Sequence, residues 1–124
     1  MKKILITEDN EILLNMMRVF LERDGYQVFI CRSGKEAVES IKNGQFDLFL
    51  VDIMLPYLNG MEVINQIRKS PQNLNARIII VSDFTDENYV REGFELGAND
   101  FLKKPVSPAE LVTRVRHHLN EVFY

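Results

Sequence analysis

Two hydrophobic periods alternate along the chain, one typical of strands and the other of helices. Short apolar runs predict strands at residues 3–7, 27–31, 47–51, 77–81 and 100–102. Apolar residues at three- and four-residue spacings predict helices at about 10–24, from 33 to 44, from 59, at about 86–96 and from 107. This alternation indicates an α/β fold, a doubly wound parallel sheet of five strands with five helices on its two faces.

Residues that begin helices support these boundaries. Ser33, Asn59 and Ser107 each stand three positions before a glutamate, which is the spacing of a capping box. The predicted core face of the first helix comprises Leu13, Met16, Met17, Phe20 and Leu21. The predicted core face of the last helix comprises Leu111, Val112, Val115, Leu119 and Val122.

Composition narrows the class of protein. With 124 residues, 46% of them hydrophobic, the chain suits one globular domain over residues 1–124. A net charge of −3 gives no broad basic surface, so we expect no direct binding of nucleic acid. Cys31 is alone and cannot form an internal disulfide. We find neither a cleavable leader nor a membrane-spanning run, which predicts a cytoplasmic protein without membrane contact.

Polar residues follow four of the predicted strands. Glu8 and Asp9 follow the first, Asp52 the third, Ser82 the fourth and Lys104 the fifth. Ligands of parallel α/β sheets bind outside the carboxyl ends of the strands, where these side chains would converge. Each residue alone has an ordinary explanation as a turn, cap or surface residue. The joint pattern is what indicates a site.

The site has the chemistry needed for phosphorylation of an aspartate. The Asp52 carboxylate can attack a phosphoryl group. Lys104 would neutralise the charge on that group, and the Ser82 hydroxyl would donate to one of its oxygens.

The acidic residues also suit a metal cofactor. Mg²⁺ (or Mn²⁺) prefers oxygen ligands, commonly one or two carboxylates. Asp9 and Asp52 can supply them, with Glu8 acting directly or through water. The backbone carbonyl of Met54 could add a further ligand.

Together these motifs resemble the receiver domain of two-component response regulators, which has the CheY-like fold. The resemblance covers the whole chain and rests on Glu8-Asp9, the run 52–56 with Gly60 beyond it, Ser82 and the run 97–105. It implies strand order 2-1-3-4-5 and a phosphoryl donor that is a sensor histidine kinase or phosphotransfer protein. It also implies a signalling switch that catalyses only its own phosphorylation and slow dephosphorylation, rather than an enzyme acting on a separate substrate.

The resemblance assigns further roles. Lys104, rather than Lys103, matches the family lysine because it directly precedes Pro105. Ser82 and Phe101 match a switch pair, in which the hydroxyl moves towards the phosphoryl group and the ring turns inward.

The predicted output surface comprises the fourth helix, the fifth strand and the fifth helix. A partial resemblance to regulators of the OmpR/PhoB type, which regulate transcription, implies a homodimer formed there on phosphorylation. The residues expected to form its ion pairs are Asp100, Glu110, Arg114 and Arg116.

Several positions depart from the commonest family pattern, among them Phe101, which replaces a more frequent tyrosine. Asp83 replaces a small residue and would repel a phosphoryl group unless it points to solvent or a cation. Met54 and Phe84 are both apolar, and we expect them to slow hydrolysis of the phosphorylated aspartate.

Three other classes share part of this pattern. A metal-dependent phosphohydrolase would usually carry an acid where this chain has Met54, and it would need a capping domain. A flavodoxin-like carrier would need a phosphate-binding loop where Glu8 and Asp9 stand. A degenerate receiver acting as an unphosphorylated interaction module is the main alternative, and only Asp83 favours it.

Overall fold

The computed structural model describes residues 1–83 and 86–120. Its elements in chain order are β1 (Lys3–Thr7), α1 (Glu11–Arg23), β2 (Gln27–Cys31), α2 (Gly34–Asn43), β3 (Leu48–Val51), α3 (Gly60–Lys69), a short 3₁₀ helix (Pro71–Asn73), β4 (Arg77–Ser82), α4 (Glu87–Leu96), β5 (Asp100–Lys103) and α5 (Pro108–His118). The predictions for Phe84 and Val122 lie outside the described residues.

The five strands form one parallel sheet in the order β2-β1-β3-β4-β5. This confirms the predicted fold class and strand order. Thr7 pairs with Val51, and Ser82 pairs with Lys103. Strands β1, β3, β4 and β5 therefore end nearly level, with β3 at the centre of the sheet.

The sheet buries both of its faces. Leu5, Phe49 and Ile80 belong to the hydrophobic layer that α2 and α3 cover. Ile6 and Leu50 belong to the layer that α1 and α5 cover. Because successive strand residues point to opposite faces, a nearly continuous apolar run fills both layers.

The predicted core face of α1 is partly wrong. Leu14, Met17 and Leu21 are the buried residues of this helix, whereas Leu13 and Met16 lie at the edge of the core. Sequence spacing predicts that one face of a helix is apolar, but it does not determine which of two adjacent apolar residues faces the core. Leu13 and Leu14 both fit the helical period.

The predicted helix caps are confirmed. The side chains of Ser33, Asn59 and Ser107 each accept a hydrogen bond from the backbone N–H three residues further on. No helix in the described ranges is long and apolar enough to cross a membrane.

Arg68 joins three segments at the amino-terminal edge of the sheet, a role that the sequence did not indicate. Its guanidinium donates to the backbone oxygen of Gly97 at 2.7 Å and to that of Ala76 at 2.7 Å. It also donates to Oδ1 of Asn99 at 3.1 Å. One side chain thus connects the end of α3 with the segments that precede β4 and β5.

We expect Arg68→Ala to lower the free energy of unfolding by about 2–3 kcal/mol, because it leaves partly buried carbonyl groups without donors. Urea denaturation measures this change. Lys69→Ala, at the next position of the same helix, is the matched control. Equal losses in the two variants would contradict a specific role for Arg68.

Candidate functional site

Three carboxylates meet at the carboxyl ends of β1 and β3. One oxygen from each of Glu8, Asp9 and Asp52 lies within 4.8 Å of the others. Glu8 is fully buried and Asp52 is 4% exposed, whereas Asp9 is exposed to solvent. The pairing of Thr7 with Val51 explains this convergence, since the residues after the two strands are level with each other.

Lys104 supplies a cation to this acidic cluster. Its Nζ lies 3.2 Å from Oδ2 of Asp52 and 3.0 Å from Oε1 of Glu8. Burial alone would lower the pKa of the Lys104 ammonium, but its two acidic partners outweigh burial and raise that pKa above its usual value. Lys103 is exposed, so the structure places the lysine beside Pro105 in the site, as the resemblance implied.

One ammonium does not balance three carboxylates. Burial raises the pKa of Glu8 to about 7, with a further contribution from the nearby Asp52 charge, although Lys104 opposes the shift. A divalent cation would relieve this excess of negative charge, and carboxylates are the ligands that Mg²⁺ prefers. The donor set therefore fits the predicted metal.

The backbone around Asp52 fixes its carboxylate. The N–H of Met54 donates to Oδ1 of Asp52 at 3.1 Å. A Cβ on Gly60 would lie 2.3 Å from the backbone oxygen of Asp52, so glycine lets α3 begin close behind the aspartate. The Met54 side chain is half exposed. The role of its carbonyl as a metal ligand stays a prediction.

The switch candidates lie on the neighbouring strands. Ser82 is the last residue of β4 and is fully buried. Phe101 on β5 is partly buried and packs against the hydrophobic layer of α2 and α3. Asp83 is exposed to solvent, so its charge can be tolerated beside the site.

A shallow apolar groove of about 340 Å³ borders the site, and the sequence did not indicate it. It is lined by Asn10, Ile12, Leu13, Met16, Lys104, Pro105 and Val106. Ile12 is 84% exposed, an unusual position for isoleucine that sequence periodicity alone cannot reveal. In the loop that follows Asp52, Tyr57 is fully exposed and has φ 67°.

Comparisons with known proteins identify the family. A sequence profile described as "Response regulator receiver domain" matches residues 4–116. The chain belongs to the response regulator receiver domain family. The "Transcriptional regulatory protein CrdR" of Helicobacter pylori is 35% identical over 120 residues, which cover 97% of this chain and 56% of the relative. The "Alkaline phosphatase synthesis transcriptional regulatory protein PhoP" of Bacillus subtilis is 38% identical over 115 residues, which cover 93% and 47%. This receiver domain thus spans about half the length of these curated relatives.

Similarity to solved structures supports the same family. A CheY-like receiver domain protein from Methanospirillum hungatei has a TM-score of 0.92 and 30% identity, with 98% of this chain and 95% of that chain covered. The receiver domain of sensor histidine kinase PA1611 from Pseudomonas aeruginosa has a TM-score of 0.87 and 28% identity, with 96% and 98% covered. That structure is described as having a magnesium ion coordinated in the active site cleft.

The predicted dimer residues of this receiver domain separate into two groups. Arg114 pairs with Asp100 at 2.7 Å and with Glu110 at 3.4 Å, on the side of α5 that faces β5. Arg116 instead donates to the carboxylate of Asp24, the residue that ends α1. Arg114 and Arg116 therefore lie on different sides of α5, since positions two apart on a helix point to different sides. A contribution of Arg116 to a dimer stays a prediction.

His118, the last residue of α5, is buried. Its ring lies between Asp100 and Arg77, both distant in sequence. No local pattern could have indicated these contacts.

Proposed function

We propose that this receiver domain is a phosphorylation switch in which Asp52 takes a phosphoryl group from a phosphohistidine. The donor is a sensor histidine kinase or a phosphotransfer protein. An oxygen of Asp52 bonds to phosphorus, the phosphorus–nitrogen bond breaks, and the imidazole leaves. The chain catalyses this step and the slow hydrolysis of the aspartyl phosphate, in which water attacks phosphorus, inorganic phosphate leaves and the Asp52 carboxylate is regenerated. It acts on no separate substrate.

The contact that carries the proposal is Lys104 Nζ at 3.2 Å from Asp52 Oδ2. Phosphoryl transfer is promoted mainly by positioning and by cations that stabilise charge on the transferring oxygens. Lys104 holds such a charge beside a carboxylate whose other oxygen is fixed by a backbone N–H. Asp52 is also flanked by β1 and β4, which bring the acidic pair and Ser82 to its two sides.

Glu8, Asp9 and Asp52 would hold Mg²⁺ or Mn²⁺, with the Met54 carbonyl as a further candidate ligand. Such an ion, when bound, would neutralise charge on the phosphoryl oxygens. Without the ion, Glu8 is a poorer nucleophile than Asp52, because burial raises its pKa to about 7 and the protonated acid does not attack phosphorus. Asp9 is exposed, and Lys104 forms its ion pairs with Glu8 and Asp52 instead.

Phosphorylation would then alter the surface formed by α4, β5 and α5. Ser82 ends the strand beside β3, and Phe101 lies on β5 in register with Ile80. A new charged group at Asp52 can change the balance between two packings of these residues. We propose that the altered surface supports output or a symmetric homodimer, with Asp100, Glu110 and Arg114 as its charged residues.

The test is intact mass after incubation with acetyl phosphate, with and without Mg²⁺. We expect the wild type to gain one phosphoryl group only with Mg²⁺, and Asp52→Asn to gain none. Asp83→Asn, which removes an exposed neighbouring acid, should behave as the wild type. A wild type that binds Mg²⁺ without gaining mass would favour the alternative of an unphosphorylated interaction module.

The apolar groove beside Lys104 fits the phosphoryl donor. A helical phosphotransfer domain that brings its histidine to Asp52 must cover the rim of the site, and Ile12 stands on that rim. We expect Ile12→Ser to slow phosphotransfer about tenfold, because it removes an apolar contact of the docked complex. The rate with acetyl phosphate should not change.

Phosphotransfer is measured with the sensor kinase that proves fastest towards the wild type in a panel of autophosphorylated kinases. Leu74→Ser is the control, since Leu74 is also exposed but lies outside the groove. Equal effects of the two variants, or a parallel loss with acetyl phosphate, would contradict docking at the groove.

A further inference from the structure

A buried histidine lies at the edge of the sheet opposite to Asp52. His118, the last residue of α5, has a side chain that is 6% exposed. Its Nε2 lies 2.8 Å from Oδ2 of Asp100, the first residue of β5. Its Nδ1 lies 3.1 Å from a terminal nitrogen of Arg77, the first residue of β4.

These two contacts determine which ring nitrogen of His118 carries the proton. An arginine can only donate hydrogen bonds, so Nδ1 of His118 accepts from Arg77. The ring proton then resides on Nε2, which donates to Asp100. Arg77 thereby orients the imidazole towards the carboxylate.

The two oxygens of Asp100 have different partners. Oδ2 accepts from His118, whereas Oδ1 accepts from Arg114 at 2.7 Å and from its own chain at the N–H of Phe101. Arg114 is more than one third exposed on α5, so Oδ1 faces the accessible side of the proposed output surface. The side of the carboxylate that faces the interior is the one held by His118.

We propose that His118 is a positioning residue that fixes the Asp100 carboxylate on the β5–α5 surface. With Oδ2 held inside, Oδ1 stays available to a guanidinium, either that of Arg114 in the same chain or that of Arg114 in a second copy. The consequence for a second copy rests on the dimer named in the proposed function. The positioning itself does not depend on it.

Several charged or titratable groups surround this arrangement. Besides Arg77 on β4 and Arg114 on α5, the ring of His117 lies 5.2 Å from that of His118. Lys2 and Asp47 line the same cavity as His118. Burial alone would raise the pKa of Asp100, but hydrogen bonds from His118 and Arg114 outweigh it and hold that pKa below its usual value.

The test compares three variants by ¹³C NMR titration of the Asp100 carboxyl group. His118→Leu removes the donor, and we expect the pKa of Asp100 to rise by about one pH unit. His118→Gln keeps a donor for Asp100 and an acceptor for Arg77, so it should restore most of the wild-type value. His117→Leu changes the exposed neighbouring histidine and should have no effect.

A wild-type titration in His118→Leu, or an equal shift in His117→Leu, would overturn the proposal. A failure of His118→Gln to restore the value would also overturn it, since a purely structural role would not distinguish the two replacements.

Sedimentation of the phosphorylated protein tests the second copy. We expect His118→Leu to weaken self-association about tenfold, as loss of a charge-assisted contact predicts. If the phosphorylated wild type stays monomeric, Arg114 of a second copy is not a partner of Oδ1 of Asp100.

All three variants should gain phosphate from acetyl phosphate as the wild type does, because His118 lies far from Asp52. Failure of the wild type to be phosphorylated would therefore count against the proposed function and leave the Asp100 titration as an independent result.

Discussion

Replacing Lys104 with methionine is expected to slow phosphorylation of Asp52 by acetyl phosphate by about two to three orders of magnitude, the usual effect of removing one preorganised charge-stabilising group. Lys104 contacts both Asp52 and Glu8, and its ammonium is the cation that the structure places on the Asp52 carboxylate. Methionine keeps much of the length and apolar stem of lysine while removing the charge. The rate is measured by intact mass at saturating Mg²⁺.

Lys103→Met is the matched control, because it removes an exposed ammonium one residue away. It should retain nearly the wild-type rate. Circular dichroism shows whether each variant is folded, since loss of Lys104 leaves buried carboxylates without their cation. A folded Lys104→Met variant that is phosphorylated as fast as Lys103→Met would contradict the role given to Lys104.

The second large effect concerns Glu8 and pH. Burial raises the pKa of Glu8 from 4.5 to about 7 in the metal-free fold. The folded protein therefore holds a proton that the unfolded chain releases between these values. The stability from this proton is fully present below pH 4.5 and is lost as pH rises to about 7, on the order of 3 kcal/mol in total.

Glu8→Gln should remove this dependence, because glutamine resembles the protonated acid. We expect the variant to exceed the wild type by on the order of 3 kcal/mol at pH 8 and by little at pH 5, in urea denaturation with a chelator. Glu39→Gln, an exposed acid on α2, should show no such difference. A constant gap between Glu8→Gln and the wild type at both pH values would contradict a buried, proton-binding Glu8.

The affinity for Mg²⁺ should also depend on the protonation of Glu8. A proton on Glu8 competes with the metal, so the apparent affinity for Mg²⁺ should rise about tenfold per pH unit below pH 7 and level off above it. Isothermal titration calorimetry of the wild type and Glu8→Gln measures this difference.

The sequence predicts the fold and the centre of the site well for a common physical reason. In a parallel sheet the strands end at one edge, so the order of polar residues after the strands also gives their arrangement in space. This reasoning places Glu8, Asp9, Asp52 and Lys104 together, as observed. The distances between them depend on strand register and loop closure, which the sequence pattern does not determine.

The features that the sequence missed depend on long-range contacts. Arg68 takes Gly97 and Asn99 from a segment about 30 residues away, and His118 takes Asp100 and Arg77. The exposure of Ile12 follows from the rotation of α1 on the sheet, which also explains why Leu14, rather than Leu13, is buried. Helical spacing does separate Arg116 from Arg114, since positions two apart on α5 point to different sides.

The central claim is that Asp52 is the residue that becomes phosphorylated, and chemical trapping tests it most directly. Borohydride reduces an aspartyl phosphate to homoserine, which peptide mass spectrometry locates in the chain. After treatment with acetyl phosphate and Mg²⁺, we predict homoserine at position 52 and none at position 9 or 83. Homoserine at either of those positions, or at none of the three in protein that has gained a phosphoryl group, would contradict the account.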